Sequence, residues 1–336
     1  MAKISRRTFL KNTSYASSLL AIPAPFKQLY NLNFMTTNNQ YDTIIIGGSY
    51  AGLSAAMALG RAMRNVLIID GGKACNRFTP HAHNFITHDG AKPQEISQKA
   101  KAQVLAYPSV NFIQAFVNDA KAQADGFIVE TEDLKEFHAK KLIFATGVKD
   151  IMPNIEGFSA CWGKTIIHCP YCHGYEVRNQ KTGILANGDM AFHYAQLISN
   201  WTKELCIFTN GKASFDEEQW AKLKKHQITV FEEEIESLNH EEGKLKEVQL
   251  KSAASVPLTA IYARPDFVQH SNLPEKLGCE LTEQGLLKVD LFQKTTVSGV
   301  YACGDNASPL RALSYATAAG TIAGAALNNE LIEEEF

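Results

Sequence analysis

The sequence predicts an α/β protein containing two strand–turn–helix–strand units, and three stretches carry that prediction. The first runs from Tyr41 to Asp70, the second from Thr182 to Phe208, and the third is a late strand closing on Gly304-Asp305 before a long Ala/Gly-rich helix. In the first, Tyr41-Asp42-Thr43-Ile44-Ile45-Ile46 is an apolar run of buried-strand length that ends at Gly47-Gly48-Ser49-Tyr50-Ala51-Gly52. A helical stretch follows from Leu53 to Arg64, then the strand Val66-Leu67-Ile68-Ile69, closed by Asp70. An acidic residue roughly 20 positions beyond such glycines is the arrangement that dinucleotide binding requires. Gly47 permits the tight turn, Gly52 lets the helix pack against the strand, and the helix N-terminus can face a pyrophosphate. Asp70 can accept hydrogen bonds from ribose hydroxyls. Ser49 stands where the middle glycine is usual. A Gly-rich turn by itself also serves packing alone; the full strand–turn–helix–strand–acid context favours a nucleotide.

Downstream, Lys92 to Leu105 reads as a helix. The alternating segments Phe112–Val117 and Gly126–Thr131 read as strands of a smaller sheet. Lys141 to Phe144 is another buried strand, running into Ala145-Thr146-Gly147, with Pro153 and Gly157 marking a domain boundary beyond it. The second unit consists of Thr182-Gly183-Ile184-Leu185, a helix through Leu197 and the strand 204–208. Charged helical and strand stretches continue to about Ala263. The last strand, Gly299 to Ala302, precedes Cys303-Gly304-Asp305 and a helix from Ala312 to Asn328.

The composition is that of a globular chain long enough for two domains: 336 residues, 45% hydrophobic, 20% charged, formal net charge -2. Near-neutral charge without a basic cluster in the body of the chain gives no support for nucleic acid as a partner. No apolar run reaches the length of a membrane-spanning helix. Seven scattered cysteines are too few for a secreted disulfide scaffold, and most, such as Cys206, read as buried small hydrophobes. Residues 1–34 are set apart. Ser5-Arg6-Arg7-Thr8-Phe9-Leu10-Lys11 matches the twin-arginine export pattern, followed by a mildly apolar stretch from Tyr15 to Ala24. Export to the periplasm by that route is the expectation, although Pro25 makes a poor cleavage site. A basic tail, or a cytoplasmic protein starting at Met35, are the alternatives.

Cys169-Pro170-Tyr171-Cys172-His173-Gly174 is the most informative segment. Two cysteines separated by two residues can close a small disulfide ring or supply half of a metal knuckle. No second Cys or His pair follows at zinc spacing, so a redox dithiol leads. Pro170 suits a first helical turn, and a helix start favours the thiolate that a nucleophilic cysteine needs. His173 is the candidate proton carrier, because imidazole titrates near neutrality; its alternative is a structural histidine packing the turn. His168 reads as structural, His83 and His88 as loop surface groups, and Cys303 as inert.

Taken in order, Gly47 to Gly52, Ala145-Thr146-Gly147, Cys169-Pro170-Tyr171-Cys172 and Tyr301-Ala302-Cys303-Gly304-Asp305 resemble the low-molecular-weight thioredoxin reductases and their relatives, from Tyr41 to about Leu331. The resemblance implies two Rossmann-like three-layer domains: an FAD domain of residues 41–157 plus 264–332, and an inserted NAD(P)-type domain of residues 158–263 carrying the redox pair. It implies FAD contacts from Gly47, Ser49, Tyr50, Ala51, Gly52, Asp70, Gly71, Asn76, Ala145, Thr146, Gly147, Gly304, Asp305, Arg311 and Ala312, with the helix after Arg311 aimed at the flavin ring. By the same analogy Cys172 is the flavin-proximal sulfur and Cys169 exchanges with a thiol or disulfide substrate, either a thioredoxin-like protein or a small dithiol. A homodimer is implied as well.

Three departures separate this chain from the usual reductase. His173 replaces an acidic residue, and the Cys-x-x-Cys-His-Gly-Tyr-Glu pattern resembles a side branch that includes the gliotoxin-type dithiol oxidases, as do Asn76-Arg77-Phe78 and His83 to Gly90. Ala186 occupies the first glycine position of the second unit. Its second strand runs into Thr209-Asn210-Gly211, without the arginines that would clamp the 2′-phosphate of NADPH. Three readings follow: a reductase driven by NAD(P)H, an oxygen-dependent dithiol oxidase whose second domain binds NADH weakly or no nucleotide, and a flavin-binding redox sensor without turnover.

Overall fold

The computed structural model describes residues 39–336; the twin-arginine pattern, the apolar stretch after it and Met35 lie outside them. Strand β1 (Gln40–Ile46), helix α1 (Tyr50–Arg61) and strand β2 (Val66–Asp70) form the first unit. A 3-10 turn at Cys75–Phe78 and α2 (Pro93–Val104) lead to β3 (Val110–Gln114), followed by the meander β4 (Val117–Gln123), β5 (Gly126–Thr131) and β6 (Glu136–Phe144). The chain leaves through β7 (Val148–Asp150) into α3 (Phe158–Cys161), β8 (Ile166–Ile167) and α4 (Pro170–His173). The second unit is β9 (Thr182–Leu185), α5 (Gly188–Ile198) and β10 (Leu205–Phe208). Then come α6 (Glu217–Lys225), β11 (Thr229–Phe231), the antiparallel strands β12 (Ile235–Glu241), β13 (Lys244–Leu250) and β14 (Ser255–Pro257), and β15 (Ala260–Ala263). The chain returns through β16 (Phe267–Gln269), α7 (Leu273–Lys276), β17 (Val300–Ala302) and α8 (Leu313–Glu335). No helix among the described residues is long and apolar enough to cross a membrane.

Both parallel sheets are covered on two faces, and side-chain alternation shows it. Ile45, Ile68, Ile143 and Tyr301 point to a core shared with α1, α2 and α8. Ile44, Ile46, Leu67, Ile69, Leu142 and Phe144 point the other way, against Phe127, Val129, Leu273 and Leu287. The second sheet, in the order β11-β10-β9-β15-β8, repeats the scheme. Ile184, Ile207 and Tyr262 face α5, while Cys206, Phe208 and Ile261 face the β12–β13–β14 sheet. The link strands between these two sheets, β7 outgoing and β16 returning, pair antiparallel with Asp150 opposite Phe267.

Several boundaries differ from the sequence expectation. Helix α1 starts at Tyr50 rather than Leu53 and stops at Arg61, because Met63 takes a left-handed conformation (φ 63°) that ends the turn. The stretch 112–117 is not one strand. Val110–Gln114 pairs parallel with β2 at the sheet edge, and the chain turns at Ala115-Phe116 to begin β4. Nor do β4 and β5 make a separate small sheet. The nine-residue β6 pairs antiparallel with β5 along Glu136–Ala139 and parallel with β17 along Leu142–Phe144, which joins the meander to the parallel sheet. Helix α8 continues to Glu335, past Asn328, because its acidic end meets cations. Glu330 accepts from Lys141 Nζ, Lys294 Nζ and Tyr301 Oη at 2.7 Å each, Glu334 pairs with Lys141, and Glu335 accepts from Arg64 and Lys140.

Two consequences are testable. Helices α1 and α8 touch backbone to backbone: a Cβ on Gly320 would lie 2.0 Å from the Ala51 carbonyl oxygen, and one on Gly324 2.6 Å from that of Ala55. Alanine gains about 1 kcal/mol over glycine in a helix interior, yet here the methyl meets a carbonyl that is fixed in a helix. Gly320→Ala is therefore expected to lower stability by about 1–3 kcal/mol, and Gly320→Val by more; denaturant unfolding that finds the alanine variant neutral or stabilised contradicts this packing. At Glu330, burial opposes the charge, but the bonds from Lys141, Lys294 and Tyr301 outweigh it and hold the carboxyl at about 2. The unfolded chain therefore binds this proton more readily, so the stabilisation is complete above the ordinary carboxylate value of about 4.3 and is lost as pH falls towards 2. Thermal midpoints measured across that window should fall less steeply in Glu330→Gln, which starts lower at pH 7 because Lys141 loses a partner; an unchanged slope refutes the assignment.

Candidate functional site

The C-terminal ends of β1, β2, β6 and β17 open onto one cleft of about 490 Å³, the place where parallel sheets bind ligands and a volume within the usual range for a ligand pocket. The cleft is bordered by the N-termini of α1 and α8, the Cys75–Phe78 turn, and the segment carrying His168, Cys169, Cys172 and His173. The nucleotide-type turn and the cysteine pair, more than 100 residues apart in the chain, thus share one cavity.

The turn after β1 has no side chains to spare. Gly47 adopts φ +109°, and a Cβ there would lie 2.2 Å from the Ala145 carbonyl oxygen. The Gly48 N–H donates to Asp70 Oδ1 at 3.0 Å, so Asp70 spends one carboxylate oxygen on the turn. Ser49 is the N-cap of α1 but its side chain makes no capping bond, and no acidic residue lies in the first turn. The N-cap of α8 is Ala312, equally without a side-chain cap or a first-turn acid. Helices normally satisfy their first N–H groups with side chains, water or ligand; here two positive helix ends face the cleft without a side-chain partner, an arrangement suited to an anionic phosphate. This donor set and the small residues around it fit a dinucleotide such as FAD.

Of the residues expected to hold that cofactor, Gly47, Ser49, Tyr50, Ala51, Asp70, Asn76, Ala145, Thr146, Gly147, Gly304, Asp305, Arg311 and Ala312 line the cleft. Gly52 and Gly71 do not. Gly52 lets α1 approach Gly47, whose carbonyl oxygen would sit 1.9 Å from a Cβ, and the ring of Phe116 covers Gly71. Lys101 and Phe112 also line the cleft, with Lys101 Nζ 3.2 Å from the Phe112 ring centroid. Neither was singled out from the sequence, because a lysine in a helix and a phenylalanine in a strand carry no motif.

Arg311 is tied down rather than free to reach a ligand. Its guanidinium donates to Asp150 Oδ1 and Oδ2 at 2.6 and 3.0 Å, lies 3.7 Å from Asp305, and donates to Cys75 Sγ at 3.0 Å. It joins the start of α8 to the outgoing link strand β7. Cys75 therefore departs from the expectation of a buried hydrophobe, whereas Cys206 and Cys303 meet it, with burial pushing each thiol up to about 12.

Cys169 and Cys172 are disulfide-bonded, with Cα atoms 5.3 Å apart. Cys169 is the N-cap of α4, and Pro170 occupies the first turn as expected. The Cys172 N–H donates to Cys169 Sγ at 3.2 Å. Burial, and next the neighbouring His83, press the His173 imidazole below its ordinary value. Both disfavour its protonated form. Burial and Arg311 push His168 down to about 4. His83, read from the sequence as a surface group, lines the same cleft with its ring perpendicular to His173 at 6.2 Å between centroids. Among the described residues no cluster of three metal-ligating side chains occurs.

The second unit repeats the turn with different chemistry. Asn187 caps α5: its Oδ1 accepts from Gly188 N, Ser214 N and Ser214 Oγ, and its Nδ2 donates to the Lys212 carbonyl. Asp189 stands in the first turn, held by Gln219 Nε2 at 2.7 Å. A side chain thus occupies the helix end, and a carboxylate repels phosphate there. These residues do not fit a tightly held nicotinamide dinucleotide.

Comparison with known proteins agrees with this architecture. Residues 41–322 match the family model described as pyridine nucleotide-disulphide oxidoreductase. The chain is 32% identical over 305 residues to thioredoxin reductase sirT of Leptosphaeria maculans, covering 86% of this chain and 93% of that one. It is 30% identical to thioredoxin reductase tcpT of Claviceps purpurea, covering 89% and 97%. The crystal structure of an oxidoreductase from Agrobacterium tumefaciens superposes with a TM-score of 0.82 at 38% identity, covering 88% of this chain and 99% of that one. With a matching fold, an open dinucleotide-type cleft and a cysteine pair inside it, the chain belongs to the pyridine nucleotide-disulphide oxidoreductase family.

Proposed function

We propose that this flavin-dependent thiol–disulfide oxidoreductase works as a dithiol oxidase. A sulfur substrate reduces the Cys169–Cys172 disulfide, and oxygen rather than a nicotinamide receives the electrons. The observation that carries this reading is the contrast between the two units: the helix ends at Ser49 and Ala312 lack side-chain caps, while the one at Asn187 is capped and followed by Asp189. When bound, FAD supplies the two-electron acceptor between the cysteine pair and oxygen. Residues 41–157 with 264–332 as the FAD-binding part, 158–263 as the inserted part, and a homodimer belong to the same reading.

The residues around the pair do the sulfur chemistry. A substrate thiolate attacks one sulfur of the Cys169–Cys172 bond, giving a mixed disulfide and a protein thiolate. The second substrate thiol must lose its proton before it closes the substrate disulfide and frees the other cysteine. His173, next to Cys172 in the chain and lining the same cleft, accepts that proton. By the family resemblance Cys169, half-buried like Cys172, is the exchanging sulfur and Cys172 the flavin-proximal one. Tyr171 and Tyr175, 64% and 65% exposed, flank the pair and offer aromatic surface to a small dithiol or a thioredoxin-like protein. Per turnover two electrons and two protons leave the dithiol, and oxygen takes both to become hydrogen peroxide.

Anaerobic titration of the purified holoprotein tests this. Dithiothreitol should bleach the visible flavin absorbance, and Cys169→Ser or Cys172→Ser should abolish the bleaching. NADPH, without two charge-assisted contacts to its 2′-phosphate at ~1.5 kcal/mol each, should lose the roughly 100-fold preference over NADH that such contacts supply, and neither nucleotide should bleach the flavin as fast as dithiothreitol. Rapid bleaching by NADPH would favour the reductase reading instead, and bleaching by neither reagent would leave only the redox sensor.

A further inference from the structure

The loop from His81 to Ala91 is a compact structure closed on itself, and it delivers one imidazole to the cysteine site. Ala82 and Ala91 pair as an antiparallel bridge, the Gly90 N–H donates to the Ala82 carbonyl at 2.8 Å, and the Asn84 N–H donates to Asp89 Oδ1 at 2.7 Å. Asp89 is thus fixed by the loop's own backbone. Between these anchors His83 projects into the cleft with a carboxylate facing each ring nitrogen: Asp89 Oδ1 lies 3.7 Å from Nδ1 and Glu176 Oε1 lies 3.6 Å from Nε2. Its ring meets His173 edge to face. Glu176, 40% exposed, follows the cysteine pair in sequence and reaches solvent. The cleft therefore holds the dithiol, His173 and His83 together, with the exposed Glu176 3.6 Å from His83 and close enough to act on His173 as well.

We propose that His83 is a positioning residue that carries the proton released at the Cys169–Cys172 pair from His173 out to Glu176 and the solvent. The step balances simply. The thiol S–H bond breaks as an N–H bond forms on His173; that N–H breaks as one forms on His83; and the proton leaves through Glu176 to water, resetting both rings. A base that turns over needs somewhere to pass its proton. With a carboxylate within 4 Å of each ring nitrogen, His83 has a charged neighbour on both sides to draw the proton on, and Glu176 exchanges with water. Further titratable neighbours among the described residues are His81, whose ring lies 6.5 Å from that of His83, and His168, whose imidazole feels the charge of His173.

This inference rests on the dithiol reading above, and its test separates the two. In the oxidised holoprotein, the His173 ring titration is followed by NMR, assigned with His173→Gln. Removing the like charge in His83→Gln should move the His173 midpoint up, and removing the carboxylate in Glu176→Gln should move it down. In parallel, opening of the Cys169–Cys172 disulfide by dithiothreitol is measured as thiols that become alkylatable, resolved by peptide. The rate should fall about 10-fold in either variant, less than the roughly 100-fold or greater loss on removing the proton carrier His173 itself, and added imidazole should restore it in His83→Gly. Glu176 lies at the surface, so its variant keeps the test valid if a His83 variant folds poorly. Midpoints that stay put or move in the same direction, or exchange rates within twofold of the parent, overturn the relay and leave the dithiol reading intact. A parent disulfide that dithiothreitol cannot open overturns the dithiol reading itself.

Discussion

The structure depends on the backbone contact between α1 and α8. Gly320 and Gly324 present no side chain to α1, so the Ala51 and Ala55 carbonyls approach where methyl groups would otherwise stand. The two helices descend from different ends of the chain, one after β1 and one after β17, yet this contact brings their N-termini to the same cleft. Since neither helix has a side-chain cap or a first-turn acid, two positive helix ends converge on one ligand space. The acidic tail of α8, held by Lys140, Lys141, Lys294 and Arg64, fixes the far end of the same helix. The Arg311–Asp150 pair then ties its near end to the strand that leads to the cysteines.

The same topology appears twice with opposite electrostatics. In the first unit the turn is stripped to glycine and small residues, and its acid, Asp70, ends the second strand and accepts from the Gly48 N–H. In the second, Asn187 takes the place of the open turn, binding the loop at Lys212 and Ser214, and Asp189 puts negative charge at the helix end. The first helix end therefore lacks a side-chain cap and the second carries one. The cysteine segment faces the uncapped one.

Much of this was legible in the sequence where chemistry follows a local rule. The β1–α1–β2 unit, the Gly304-Asp305 turn, the Cys169–Cys172 pair on a short helix begun by Pro170, and the departures at Ala186 and after Phe208 all follow from neighbours in the chain. The errors arose where a distant partner decides. The chain breaks at Ala115-Phe116 because β3 pairs with β2 while β4 pairs with β5. Helix α8 extends to Glu335 because cations from β6 and from the loop before β17 neutralise its acidic end. Arg311 is absorbed by Asp150, 161 positions away, and His83 gains its place only because the loop meets α4. The one available hint for His83 was its spacing from Asp89 in a loop dense in histidine, which suggests a closed turn but does not say what that turn faces.

The proposed oxidase reading requires one dinucleotide site and not two, with the dithiol beside it. Its most direct test is a count of bound nucleotides. Holoprotein equilibrated with NADPH or NADH, separated from free ligand and heat-denatured, should release one FAD per chain and no nicotinamide nucleotide. Release of a nicotinamide nucleotide in stoichiometric amount, or a purified chain that retains no flavin and binds none on reconstitution, would contradict the account.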